Sequence, residues 1–314
     1  MKQKIPIFMV FLLLSLITTM RAQTATVTLS TNGELKSFGA YGILDAIDAA
    51  NPNDTIWLSS GHFVERNELY LTKPLVFIGS GAIGDNATQL SSSNIRLKLD
   101  SDSSIVFEGI DILAEVQVYG DGNIIFRNSQ LERLYTFHTS DYIISPSMWL
   151  DRCKVTGNID LGTEGALNIN NSIIDGNCWS YNAYTNIVNC SIKYCYISVT
   201  GTVSNSLLND WEDRYNVTFQ DCVLSAVYSG DMSKAQYINC STPLNENGEA
   251  IQPTPENAEL YNWLGSDGTL VGPYGGTTPF SLLPSYPTPD PSNSTLEYDK
   301  NTHKLKVKVS ILDD

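Results

Sequence analysis

The chain has 314 residues and carries 34 Asp and Glu against 19 Lys and Arg, a formal net charge of −15. Nucleic-acid backbones are excluded as partners by that balance, because holding them takes clustered Lys and Arg. The six Cys form no CxxC pair and no cluster with His, so nothing supports a zinc site.

Lys2 and Lys4 precede an apolar run from Ile5 to Ile17, and a short polar stretch ends at Arg21-Ala22-Gln23. This reads as a secretory signal peptide over residues 1–22, too short for a membrane span. Its removal deletes Lys2, Lys4 and Arg21, taking the charge from −15 to about −18. The expectation is an exported protein, placed extracellularly, on the cell surface or in the periplasm, monomeric, with no integral membrane segment after cleavage. The mature chain reads as one elongated domain over 23–283, with a Pro-rich segment and terminal strand over 284–314.

A first strand over Thr26–Ser30 is followed by Ala40, Ile43, Leu44 and Ile47 at helical spacing, ending at Asn51-Pro52, where proline disfavours continuation. Such a helix suits the open end of a sheet, covering its exposed edge. The segment Ala46-Ile47-Asp48-Ala49-Ala50-Asn51-Pro52-Asn53-Asp54-Thr55-Ile56, with Gly61 and Lys73-Pro74-Leu75-Val76-Phe77-Ile78-Gly79 behind it, resembles the opening of right-handed parallel β-helix proteins of the pectate-lyase-like superfamily. Asn53 stands where their usual form has glycine. The Ala-Gln at the proposed cut and the stretch Gly265 to Phe280 resemble secreted β-helix proteins of Bacteroidetes-type bacteria. The resemblance implies architecture and export; that superfamily includes lyases, hydrolases, epimerases and adhesins, so it implies no single activity.

From Asn123 to Thr242 one phrase returns: apolar, any, Asn or Asp, Ser or Cys, any, apolar. Its Ser/Cys anchors are Ser129, Cys153, Ser172, Cys190, Ser206, Cys222 and Cys240, at steps of 24, 19, 18, 16, 16 and 18 residues. Repeats of that length without helical periodicity predict parallel strands stacked as a solenoid. The fold class expected is therefore all-β, a right-handed parallel β-helix of about ten coils with an N-terminal capping helix and a C-terminal cap. The Asn column, broken by Arg152 and Asp221, suits left-handed turns with amides bonded rung to rung. The Ser/Cys column reads as small inward side chains, its four Cys as buried free thiols. Cys178 and Cys195 lie off that column, and a bridge between them is left open.

Three coils carry polar, aromatic insertions after the anchor: 135–142, 177–184 and 209–215. At equal offset they are expected to project from one side, bringing together Tyr135, His138, Asp141, Trp179, Tyr181, Tyr184, Trp211, Glu212, Asp213, Arg214 and Tyr215. Aromatic faces beside polar groups suit sugar rings, and loops carry function more often than scaffolds do. Catalytic patterns are incomplete. Met148-Trp149-Leu150-Asp151-Arg152-Cys153 resembles one pectate-lyase strand but has Arg152 in the histidine place, and neither the arginine-proline motif nor the polygalacturonase pattern is found. The catalytic candidates are Arg152, Glu212 and Asp213. For a lyase, Arg152, Lys154, Lys193 or Arg214 would neutralise a uronate carboxylate, and Asp151, Asp175, Glu212, Asp213 and Asp221 could hold Ca²⁺. For a hydrolase, Glu212 with Asp175 or Asp141 is the pair.

At the C-terminal end, Gly268, Gly272, Gly275 and Gly276 allow tight turns while Trp263, Tyr274 and Phe280 are expected to cover the last rung. Lys304-Leu305-Lys306-Val307-Lys308-Val309 alternates as an edge strand guarded by lysine. The function expected is polysaccharide binding along the aromatic, acidic side, without strong catalysis. The alternatives are a lyase or glycoside hydrolase on uronate glycans, and a surface adhesion or scaffold module.

Overall fold

A computed structural model of the chain describes residues 25–137, 144–162, 164–198, 200–213, 216–225, 235–283, 289–299 and 304–311; for 212, 213, 289–299 and 304–311 it describes the backbone alone. The chain is nearly all β, and two short helices are the only ones among the described residues. Among the described residues ten strands, from Thr55–Leu58 to Gln236–Ile238, stack in parallel as one sheet and are joined by nine coils, close to the ten expected. A second sheet runs up the opposite flank, and together they form a parallel β-solenoid.

The repeat phrase sets the register. Phe126 pairs with Leu150, then Ile169, Ile187, Val203, Phe219 and Tyr237. These residues stand three before the Ser/Cys anchors, and all but Tyr237 are buried. The line continues towards the N-terminus through Phe107 and Phe77. Phe77, Phe107 and Phe126 stack at ring separations of 5.1 and 5.4 Å, filling the bore of the coil.

The Asn column turns the chain as expected. Asn128, Arg152, Asn171, Asn189, Asn205, Asp221 and Asn239 all have φ between 45° and 54°. The backbone N–H of each of the first six donates to a carbonyl of the next coil, at 2.9 to 3.1 Å. The side-chain amides do not form a continuous ladder: Asn239 Nδ2 donates to Asp221 Oδ1 at 3.2 Å, but Asn171 and Asn128 turn to the glycine-rich C-terminal segment instead. Arg152 is the one long side chain in this left-handed column. A non-Gly residue costs roughly 1–2 kcal/mol there, with Asn partly exempt. The ion pair of Arg152 with Asp151, at 3.0 Å and part-exposed, offsets about 1 kcal/mol or less. Arg152→Asn is therefore expected to raise stability by up to about 1 kcal/mol, read as a higher urea midpoint at unchanged slope; a lower midpoint would mean that the ion pair outweighs the backbone term.

The Ser/Cys column has a stricter logic than inward filling. Each anchor bonds back two residues, Ser129 Oγ to the Arg127 carbonyl at 2.7 Å and Cys190 Sγ to that of Val188 at 3.1 Å. Serine also accepts an amide from the preceding coil: Cys153 N–H donates to Ser172 Oγ at 3.0 Å and Cys190 N–H to Ser206 Oγ at 3.1 Å. Cys178 and Cys195 are Cα partners in neighbouring coils; both are buried free thiols.

Helix α1 (Ile43–Ala49) places Ile43, Ala46 and Ile47 in the core beside Thr26–Thr31, which pairs antiparallel with Thr55–Leu58. Lys73 Nζ donates to the carbonyls of Ile47, Asp48 and Ala50 at 2.8 to 3.2 Å and so closes the helix C-terminus. Helix α2 (Pro255–Tyr261) and Trp263 pack on Leu207 and Val223 in the last coils. The glycine-rich segment behind them leaves that end and runs back down the Asn column. Ser266 Oγ donates to Asp221 Oδ2 at 2.7 Å, and Gly272 N–H to the Asn205 carbonyl at 2.8 Å. Asn171 Nδ2 donates to the carbonyls of Pro273 at 3.3 Å and Gly275 at 2.7 Å. Asn128 Nδ2 reaches the Ser281 carbonyl at 2.9 Å, and Ala82 N–H that of Leu282 at 3.1 Å. Tyr274 and Phe280 therefore flank middle coils instead of covering the last rung. At Gly276 φ is +73°, and a Cβ would lie 2.4 Å from Asn189 Nδ2, so a side chain there would be strained and would have to displace the Asn189 amide. Lys304–Ile311 pairs antiparallel with Pro289–Asp299, so the expected edge strand is half of a hairpin.

Candidate functional site

The second sheet is creased. Its register shifts between Ile112 and Glu115 and between Ile174 and Asn177, and in the coil between them the strand breaks into Lys154–Val155 and Ile159–Leu161. Beyond the crease, one strand position recurs in register across eight coils: Tyr70, Arg96, Gln117, Tyr135, Asp160, Trp179, Tyr196 and, by backbone alone, Glu212; of the first seven, Gln117 and Tyr196 are buried and the others at least part-exposed. Successive coils are about 4.8 Å apart, so these groups form a straight row.

At one end of the row Tyr70, Arg96 and Tyr119 line a cleft of about 650 Å³ with Asn67 and Glu68. Arg96 pairs with Glu68 at 2.7 Å, donates to Gln117 Oε1 at 3.2 Å and lies over the Tyr119 ring. Tyr119 in turn stacks on Phe137 at 4.7 Å. Mid-row, Arg133 lies over Tyr135 at 5.1 Å and pairs with Glu115 at 3.2 Å. The Tyr135 hydroxyl donates to Glu115 Oε2 at 3.5 Å; burial first, then the Glu115 charge, raises its pKa. Asp160, between Tyr135 and Trp179, is half-buried, and desolvation raises its carboxyl pKa against the opposing pull of Arg133. Towards the far end, Tyr181 covers Tyr196 at 5.2 Å.

Of the residues expected on one side, Tyr135, Trp179 and Tyr181 meet here, and Glu212 has the backbone position that ends the row. Tyr184 does not join them. It opens the strand Tyr184–Val188 of the first sheet, around the bend, and is exposed there. Trp211 is a correction: it is 2% exposed, facing inward against Phe219 and Tyr237. The strand around Trp179 holds one extra residue at its register shift, whereas that around Trp211 does not, and a one-residue difference exchanges the two faces of a strand. His138, Asp141, Arg214 and Tyr215 lie outside the described residues, as do the Glu212 and Asp213 side chains.

Arg152 sits in the Asn column, away from the row, tied to its neighbour Asp151. The carboxylates considered for calcium are dispersed: Asp175 pairs with Lys154 at 3.2 Å, and Asp221 binds Ser266 and Asn239, which hold its carboxyl below the usual range. Among the described residues no group of three or more His, Cys, Asp or Glu could hold a metal ion. Lys154, Asp175 and Lys193 instead line a groove of about 510 Å³ beneath Tyr274 and Phe280 of the strap.

Sequence reasoning missed Tyr70, Arg96, Gln117, Tyr119, Asp160 and Tyr196. Continuing the phase of Phe126 back to Phe107 and Phe77 would have brought in the first coils. The chain matches no known family model, no curated protein and no solved structure.

Proposed function

We propose that this is an exported β-helix protein, its signal peptide spanning residues 1–22, that binds an extended polysaccharide along the row from Tyr70 to Glu212 without strong catalysis. The reading extends to a right-handed helix of pectate-lyase-like kind and a Bacteroidetes-type source. The observation that carries it is the register: aromatic and polar residues are interspersed at one strand position, at a constant step, over eight coils. A repeating linear polymer offers a matching series of apolar ring faces and hydroxyls, and stacking on Tyr135 and Trp179 supplies affinity while the part-exposed Asp160 carboxyl between them supplies hydrogen bonds. The test is binding of residues 23–314 to a glycan array, with and without calcium, repeated with Tyr135→Ala/Trp179→Ala. Two lost stacking contacts, at about 0.5–1.5 kcal/mol each, predict a roughly 5- to 150-fold weaker interaction. Both side chains point outward, so the melting temperature is expected to hold. Unchanged affinity in the double variant, or no glycan bound by the parent, overturns the reading.

A second reading, cleavage of the bound chain, is favoured by one observation, the half-buried Asp160 with its raised carboxyl between two aromatic rings. Product release by the parent that is abolished in Asp160→Asn would establish it in place of simple binding.

A further inference from the structure

The Ser/Cys column alternates Ser129, Cys153, Ser172, Cys190, Ser206, Cys222, and then departs from its own rule at Cys240. In the earlier coils each cysteine is followed by a serine whose hydroxyl accepts that cysteine's amide, Cys153 to Ser172 and Cys190 to Ser206. In the last coil a cysteine stands in that place: Cys240 holds the position next to Cys222 that serine holds next to Cys153 and Cys190. The two residues hold the same step of neighbouring coils, since Gln220 pairs with Ile238 before them and Val223 with Ser241 after them. Neighbouring strands lie about 4.8 Å apart, within the 4.4–6.8 Å Cα separation that a disulfide spans.

The environments of the two sulfurs differ in a useful way. Cys222 is buried, but Cys240 is half-buried at the end of the stack. A cleft of about 440 Å³ lined by Cys222, Asn239 and Trp263 opens beside the pair. The neighbouring Cys222 side chain is the main influence that lowers the Cys240 thiol to about 7, against the opposing effect of burial. A thiolate is the attacking species in disulfide exchange, so an accessible, acidified thiol beside a second thiol is a competent pair. Cys178 and Cys195 share the pairing geometry but are both fully enclosed.

We propose that Cys222 and Cys240 are the site of a disulfide cross-link that ties the last two coils of the solenoid together. The oxidant is a low-molecular-weight disulfide. The Cys240 thiolate attacks one of its sulfurs and expels the first small thiolate, giving a mixed disulfide. The Cys222 sulfur then attacks Cys240 Sγ, its proton passing to the first thiolate, and a second small thiolate leaves. Two protein thiols are oxidised and one small disulfide is reduced to two thiols. The cross-link acts where a solenoid is weakest, at a terminal repeat with a neighbour on only one side.

The test is incubation of the full chain with oxidised glutathione, followed by alkylation in denaturant, mass measurement and non-reducing digestion. The expected result is loss of two of six alkylatable thiols and a linked peptide pair containing Cys222 and Cys240. Cys222→Ser is expected to stop at a stable glutathione adduct on Cys240, and Cys240→Ser, which restores the alternation, to keep every remaining thiol. Six alkylatable thiols after incubation, a glutathione adduct that persists on Cys240 in the parent chain, or a link between Cys178 and Cys195 instead would each overturn the proposal.

Discussion

Trp211→Ala is expected to destabilise the protein by about 3–5 kcal/mol, the range for emptying a core site of a large aromatic ring. Trp211 is 2% exposed, and its ring centroid lies 5.0 Å from that of Phe219 and 5.4 Å from that of Tyr237. Phe219 and Tyr237 are themselves stacked, so the three rings form one unit in the closing coils. Because a solenoid loses stability repeat by repeat, the loss should be concentrated there: amide exchange from about residue 200 onward should accelerate while that around Phe107 stays protected. Trp211→Phe, which keeps an aromatic ring, should cost clearly less. Had Trp211 been the sugar platform that its place in the sequence suggests, the alanine variant would melt at the parent temperature and lose glycan affinity. A normal melting temperature would thus refute the inward placement.

That contrast shows where local pattern ends. The phrase around each anchor was readable because side-chain parity in a strand is strict, and the column from Phe126 to Tyr237 follows from it without adjustment. The left-handed column was readable because few residues besides Asn and Gly tolerate that backbone. The first coils were harder: Gly109, with φ of +66°, takes the place that Asn holds later, and glycine serves too many kinds of turn to mark a repeat. Parity beyond the crease could not be carried over, since one inserted residue near Asp175 sends Trp179 outward and its absence leaves Trp211 inward. The strap was illegible for a different reason. Its bonds join Gly275 to Asn171 and Ser281 to Asn128, through irregular backbone and over more than 100 positions, and no periodicity links the two ends. The row was half visible: its aromatics stood out by composition, whereas Arg96, Gln117 and Asp160 become members only through register.

The buried thiols predict an alkaline limit to stability. Desolvation is the leading cause in each case, and it pushes Cys153, Cys178 and Cys190 up to about 12 from an ordinary value of 9.0. The folded state therefore keeps these protons while the unfolded chain releases them near 9. Their contribution to stability is fully present below about pH 9 and is lost as pH rises from there towards 12. Each thiol in that window removes about 1.4 kcal/mol per pH unit, so the three together give a slope of about 4 kcal/mol per unit. Urea unfolding at stepped pH should show a plateau to about pH 9 and a steep fall above it. The sixteen tyrosines also titrate in the alkaline range, but they are the same in a comparison variant. Cys153→Ser/Cys190→Ser places at both positions the residue that alternates with cysteine in this column, and it should flatten the slope by about 3 kcal/mol per unit. An unaltered slope, or thiolate absorbance rising below pH 9 while the chain is still folded, would mean that these sulfurs are less enclosed than the coil makes them.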